Sequence, residues 1–129
     1  MIQKILVADD EPDVLTMLSE IFRHYGYDVV TASDAEQFER VFFKTNPDLI
    51  LLDIFFGEYS GPDVYDRVMK LAGAPQTPVI FLTGKLDGTK ESPLVRGRQV
   101  ALYLKPLSAH RIVTDIRLAF SSDPISKPA

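Results

Sequence analysis

The sequence predicts an α/β protein: a doubly wound, five-stranded parallel sheet with helices on both faces. Three observations carry this. Short strand-like stretches recur along the chain: apolar runs at Ile5 to Ala8, Leu49 to Leu52, Val79 to Leu82 and Val100 to Leu104, and Tyr27 to Ala32 around Val29-Val30-Thr31. Between them, apolar residues fall at three- and four-residue spacing, which marks one buried face of a helix. The run Leu49-Ile-Leu-Leu52 is apolar at every position, as a strand covered on both sides requires. Strands alternating with helices imply parallel neighbours joined by right-handed crossovers.

Taken in order, Ile5-Leu6-Val7-Ala8 is the first strand, and it ends in Asp9-Asp10-Glu11-Pro12. Pro12 suits a first helical turn, where its missing N–H would have no partner anyway. The helix that follows buries Val14, Leu15, Leu18, Ile21, Phe22 and Tyr25, and Gly26 closes it in a left-handed conformation. After the second strand, Tyr27 to Ala32, Ser33 and Glu36 hold the two positions of a capping box. A second helix then runs to about Lys44 over Phe38, Val41 and Phe42, until Asn46-Pro47 stops it.

The third strand stops at a carboxylate, Asp53, before a loop holding Gly57, Ser60 and Gly61. The third helix sets Val64, Tyr65, Val68, Met69 and Leu71 inward and ends near Gly73-Ala74-Pro75. Val79 to Leu82 is the fourth strand, ending in Thr83-Gly84. In Lys85 to Gln99 the alternation calls for a fourth helix, but Gly88, Pro93 and Gly97 oppose one, by about 1 kcal/mol per interior Gly and about 3 for Pro. That helix is expected to be short or irregular. The fifth strand, Val100 to Leu104, leads to Lys105-Pro106, and Ser108 caps a last helix carrying Ile112, Val113, Ile116, Leu118, Ala119 and Phe120. Residues 1–121 form one domain on this reading. Residues 122–129, with Pro124 and Pro128, read as a disordered tail or the start of a linker.

A length of 129 residues, with 46% hydrophobic and 25% charged, bounds this as one ordinary globular domain. Without cysteine there is neither a disulfide framework nor a thiolate metal site, and a reducing compartment is expected. The start lacks the apolar length and cleavage site of a signal peptide, and no apolar run reaches the roughly 18 residues of a membrane helix. A cytoplasmic location and no membrane contact are therefore expected. A net charge of -4 argues against direct nucleic-acid binding by this domain.

Doubly wound packing brings every strand end to one edge, where open α/β sheets place their ligands. Reading only those ends gives Asp9 and Asp10, then Asp53, Thr83 and Lys105. Each alone has a plain explanation: a solvated helix start, a loop cap, a β-former, a surface charge. Their coincidence at the informative strand ends makes independent accidents improbable. The set also has a chemical logic. Acids in a row repel one another and are tolerated best when a cation shares them. Oxygen ligands without Cys or His select a hard cation such as Mg²⁺. Together with a Lys and a hydroxyl, such a cation supplies positive charge and a hydrogen bond to a phosphoryl group, and a carboxylate can serve as covalent nucleophile.

From about Lys4 to Phe120 the sequence resembles the receiver domains of two-component response regulators. The motifs that carry the resemblance are Leu-Val-Ala-Asp9-Asp10-Glu-Pro, Leu-Ile-Leu-Leu-Asp53, Gly61 eight residues later, Phe-Leu-Thr83-Gly and Leu-Lys105-Pro106. The resemblance implies a flavodoxin-like fold with strand order 2-1-3-4-5. It implies that Asp53 accepts phosphate from a phosphohistidine on a sensor histidine kinase or a histidine phosphotransfer protein. Asp10, Asp53 and the backbone carbonyl of Phe55 would ligate Mg²⁺ directly, with Asp9 acting largely through a metal-bound water. Lys105, before a cis peptide bond, would pair with the phosphoryl group, and Thr83 would hydrogen-bond it. Such a domain is no enzyme beyond its own phosphorylation and dephosphorylation. It switches an effector protein or a fused output domain, with a homodimer through the fourth-helix face as one route.

Some positions depart from the family pattern. Gly57 replaces a common Pro, so a looser loop is expected; Leu102 replaces the switch aromatic, with Tyr103 one residue on. Activation is therefore expected to order an irregular Lys85–Gly97 segment and not to rotate an aromatic ring. Phe55 and Lys85 hold positions that tune phosphate loss in the family, and His24 and His110 receive no role. The rival readings are a pseudo-receiver that binds partners without phosphorylation, a flavodoxin-like cofactor binder and an aspartate phosphatase. Asp9-Asp10-Glu11 would repel a flavin phosphate. The phosphatase would need its nucleophile after the first strand and a substrate cap this chain has no room for.

Overall fold

The computed structural model describes residues 2–73, 77–83, 94–95, 98–99, 101–104 and 113–114. Its elements run β1 (Lys4–Ala8), α1 (Pro12–His24), β2 (Asp28–Ala32), α2 (Ala35–Thr45) and β3 (Leu49–Asp53). They continue as β4 (Phe55–Phe56), β5 (Tyr59–Ser60), α3 (Gly61–Ala72), β6 (Val79–Thr83), β7 (Leu94–Val95), β8 (Arg98–Gln99) and β9 (Ala101–Leu104). Five strands form one sheet in the order β2-β1-β3-β6-β9, every neighbouring pair parallel. Counting only these five, the order is the expected 2-1-3-4-5.

The side-chain alternation of the strands splits the core in two. Leu6, Ala8, Ile50, Leu52, Val79 and Phe81 join residues of α2 and α3 on one face. Ile5, Val7, Leu49, Leu51, Ile80 and Leu82 join Leu18 and Phe22 of α1 on the other, together with Val113, which is helical and buried. All of β3 is buried. Burying each of its aliphatic side chains contributes roughly 1.5–3 kcal/mol, so the centre of the sheet is its most stable part.

Local signals set the helix ends. Pro12 stands in the first turn of α1, and Gly26, at φ 92°, turns the chain out of it. Asn46 closes α2 in the left-handed region, at φ 50°. The α2 cap is one residue later than the capping box at Ser33 and Glu36 implies. Asp34 accepts the Gln37 N–H at 2.8 Å, and the Gln37 side chain accepts from the Ser33 N–H at 3.0 Å. Asp34→Ala should lower stability by about 1 kcal/mol in urea unfolding, the usual contribution of such a cap. Leu71 also departs from expectation. It is 57% exposed, and Ala72 packs against the core in its place.

Two segments are more ordered than loops. Phe55–Phe56 pairs antiparallel with Tyr59–Ser60, so the chain around Gly57 is a tight hairpin, not the looser loop expected. Phe56 anchors it, 1% exposed and edge-on to Phe38. Within the span expected to hold a short or irregular fourth helix, Leu94–Val95 pairs antiparallel with Arg98–Gln99. The rest of Lys85–Gly97, and the tail at 122–129, lie outside the described residues. Among the described residues, no helix is long and apolar enough to cross a membrane.

Candidate functional site at the strand ends

Two adjacent strands build the site. β1 and β3 are paired in register, Ala8 opposite Leu52, so the next residues, Asp9 and Asp53, emerge side by side. Both are buried, at 0% and 3% exposure, whereas Asp10 and Glu11 are exposed. One carboxylate oxygen from each of Asp9, Asp10, Glu11 and Asp53 lies within 4.8 Å of the others.

The same turn device shapes both strand ends. Asp9 Oδ1 accepts the Glu11 N–H at 2.9 Å, and Asp53 Oδ1 accepts the Phe55 N–H at 3.1 Å. Each carboxylate thus bonds the backbone two residues on and bends the chain away from the sheet. Behind Asp53 the backbone is held twice more: the Ile54 N–H donates to the Leu82 carbonyl at 2.8 Å, and the Gly61 N–H donates to the Ile54 carbonyl at 2.7 Å. Gly61 is there because nothing larger fits. A Cβ at this position would run into the Asp53 carbonyl oxygen and sit 3.0 Å from its carbon.

Thr83 ends β6 at the same edge, one residue past Leu82, which pairs with Asp53. It also pairs with Leu104 of β9, so Lys105 follows at the next position in sequence. Lys105, Pro106, Lys85 and His110 lie outside the described residues. Phe55 follows Asp53 closely and its side chain is half exposed, at 53%. His24 is in the last turn of α1, its ring edge-on to Tyr25, and is no part of the acidic cluster.

Electrostatics decide what the pocket can hold. Two buried carboxylates as close as Asp9 and Asp53 repel by roughly 3–4 kcal/mol at an effective dielectric of about 20. A cation that shares them removes this cost. Among the described residues the donors are all oxygens, which fits a hard divalent ion such as Mg²⁺ and poorly suits zinc or copper. Glu11 belongs to the cluster although the resemblance assigns it no ligand role. The signal was the unbroken run Asp9-Asp10-Glu11.

Mg²⁺ should therefore raise the melting temperature. At tenfold excess over its Kd, a ligand of the folded state alone adds about 1.4 kcal/mol. Asp9→Asn and Asp10→Asn should weaken this response while leaving the metal-free fold as stable or more so. Melting that ignores millimolar Mg²⁺ would mean that the cluster does not hold the ion.

The comparisons with known proteins point the same way. The profile of the response regulator receiver domain family matches residues 5–118. The chain is 32% identical to the alkaline phosphatase synthesis transcriptional regulatory protein PhoP of Bacillus subtilis, over 100% of its own length and 53% of that protein. It is 30% identical to the DNA-binding response regulator MtrA of Mycolicibacterium smegmatis, over 91% of its length and 50% of that protein. The chain thus spans about half the length of these relatives. Among solved structures, a response regulator receiver domain protein from Clostridium thermocellum is 30% identical with a TM-score of 0.76, covering 92% of this chain and 94% of that one. A chemotaxis protein of Vibrio cholerae has a TM-score of 0.79 at 21% identity, over 92% of this chain and 98% of that one, a likeness of fold alone. The family match runs from β1 past β9, and the chain belongs to the response regulator receiver domain family.

Proposed function

We propose that this domain takes a phosphoryl group from a phosphohistidine onto Asp53, with Mg²⁺, and thereby switches its contacts with a partner. The observation that carries the reading is the buried Asp53 within a cluster of four carboxylates at the end of the central strand. A carboxylate oxygen of Asp53 attacks phosphorus, the P–N bond of the donor breaks, and its electron pair returns to the imidazole. The product is an acyl phosphate on Asp53 and a histidine that can be phosphorylated again. In the separate hydrolytic step water attacks phosphorus, the Asp53 O–P bond breaks, and Asp53 and inorganic phosphate are returned, so the domain acts on itself and turns over no other substrate.

The chain's own residues prepare this step. The Phe55 N–H bond to Oδ1 fixes the rotamer of Asp53, and the Gly61–Ile54 bond fixes the backbone beneath it. Asp9, Asp10, Asp53 and the Phe55 carbonyl would hold Mg²⁺, with Glu11 beside them. When bound, the ion supplies the positive charge that a phosphoryl group needs near so many acids. Thr83 and Lys105 are assigned the hydrogen bond and the ion pair to the phosphoryl oxygens.

The donor is a sensor histidine kinase or a histidine phosphotransfer protein, and a cytoplasmic site fits such a donor. Relatives of twice the length are named as transcriptional and DNA-binding regulators, so a fused output domain that binds DNA is the effector we favour. The receiver itself, at net charge -4, would then make no direct nucleic-acid contact. Incubation with acetyl phosphate and Mg²⁺ tests the reading: the chain should gain one phosphoryl group, mapped to the peptide containing Asp53. Beryllofluoride should shift the amide spectrum around residues 9–11, 53–61 and 83. An unchanged mass and an unchanged spectrum would favour the pseudo-receiver.

A further inference from the structure

Away from the strand-end site, α2 and α3 lie side by side on one face of the sheet and leave a groove of about 320 Å³ between them. Its floor is apolar, with Val64 and Val68. One wall is Tyr59, 59% exposed yet held on a rigid support, because its hairpin partner Phe56 is buried against Phe38. An exposed aromatic ring fixed at the mouth of a groove is a ready contact for a cation or an apolar stem.

The rim sets the sign of the occupant. Glu36, Glu39 and Asp63 contribute three carboxylates to the lining, against the single guanidinium of Arg67. That guanidinium already pairs with Glu39 across the groove at 3.2 Å. The contact between Glu36 and Arg40, at 4.0 Å with both side chains largely exposed, is a weak competitor for a new partner. The charge therefore attracts basic groups and repels acidic ones.

We propose that this groove docks a basic segment of a partner protein, one that lays an arginine over Tyr59 between the rim carboxylates and a small apolar side chain on the valine floor. The volume is at the low end for ligand pockets and takes one or two side chains. A second copy of the chain fits less well, since a stable dimer buries about 800 Å² on each partner.

Two short peptides serve as probes for the full chain in its unphosphorylated form, acetyl-Ala-Arg-Leu-Arg-Ala-amide and its counterpart with Glu in place of Arg. In ¹⁵N–¹H spectra the Arg peptide should move amides at 35–39 and 59–68, and the Glu peptide should not. Tyr59→Ala should weaken binding roughly fivefold through the lost ring contact, and Glu36→Lys by a similar factor. Both residues are exposed, so both variants should keep the wild-type spectrum elsewhere. The proposal is overturned if neither peptide shifts these amides, if the shifts map elsewhere, or if the Glu peptide binds as well. It is equally overturned if the same amides shift with protein concentration alone, which would make the groove a self-contact. None of these outcomes depends on whether Asp53 accepts phosphate.

Discussion

Asp53→Asn will carry no phosphoryl group after incubation with acetyl phosphate and Mg²⁺, under conditions in which the wild-type chain gains one. The amide is neutral and its oxygen is a poor nucleophile, so the step that forms the acyl phosphate has no attacking group. Geometry is not what is lost. An Asn side chain can still accept the Phe55 N–H through Oδ1, as Asp53 does at 3.1 Å, so the turn after β3 should persist. Replacing one of two buried, mutually repelling carboxylates should leave the metal-free fold at least as stable as before. The expected pair of results is therefore total loss of phosphorylation with no loss of stability in urea. Peptide mapping checks the assignment. A variant still phosphorylated to wild-type extent would put the acceptor on another residue and end the case for Asp53.

The features legible in the sequence are those that depend on few, strong terms. β3 could be read because an all-apolar run ending in an acid has little else it can be, and the structure buries all of it. The acid cluster could be read because parallel strands end at one edge, which places Asp9 beside Asp53 whatever the loops do. What escaped depended on small differences between near-equal choices. Ser33 and Asp34 both cap helices well, and both have a Glu or Gln three residues on. The helix starts at Ala35, with Asp34 as its cap. Leu71 escaped because a helical stripe reaches both it and Ala72 in the last turn, and it is the smaller residue, half-buried, that packs against the core. The hairpin around Gly57 is visible in the sequence only as Gly57-Glu58 between Phe55-Phe56 and Tyr59-Ser60, a signal easily read as plain loop. It matters because it holds Tyr59 at the mouth of the groove between α2 and α3.

Gly61→Val should destabilise the chain by about 3 kcal/mol and slow phosphorylation of Asp53, the largest stability effect expected outside the core. The cause is crowding, not backbone conformation. A side chain at this position would meet the Asp53 carbonyl oxygen, with the Asp53 carbonyl carbon at 3.0 Å and Ile54 Cα at 3.2 Å. All three are main-chain atoms at the end of the central strand, so they cannot step aside as a flexible side chain would. A contrary term exists: Gly61 opens α3, and a better helix former there gains at most about 1 kcal/mol. Forced overpacking costs about 1–3 kcal/mol even for small additions, so crowding wins for Ala and wins by more for Val. The displaced peptide is the one that carries Asp53, and the Gly61–Ile54 bond would stretch with it. Stability and chemistry should therefore fall together. Gly57→Ala is the control. Its position has φ 63° but open space around a Cβ, so it should cost some backbone strain and leave the phosphorylation rate nearly unchanged. Urea unfolding and the rate of acetyl phosphate labelling read both effects. A Gly61→Val chain as stable and as fast as wild type would show that this close approach does not position Asp53.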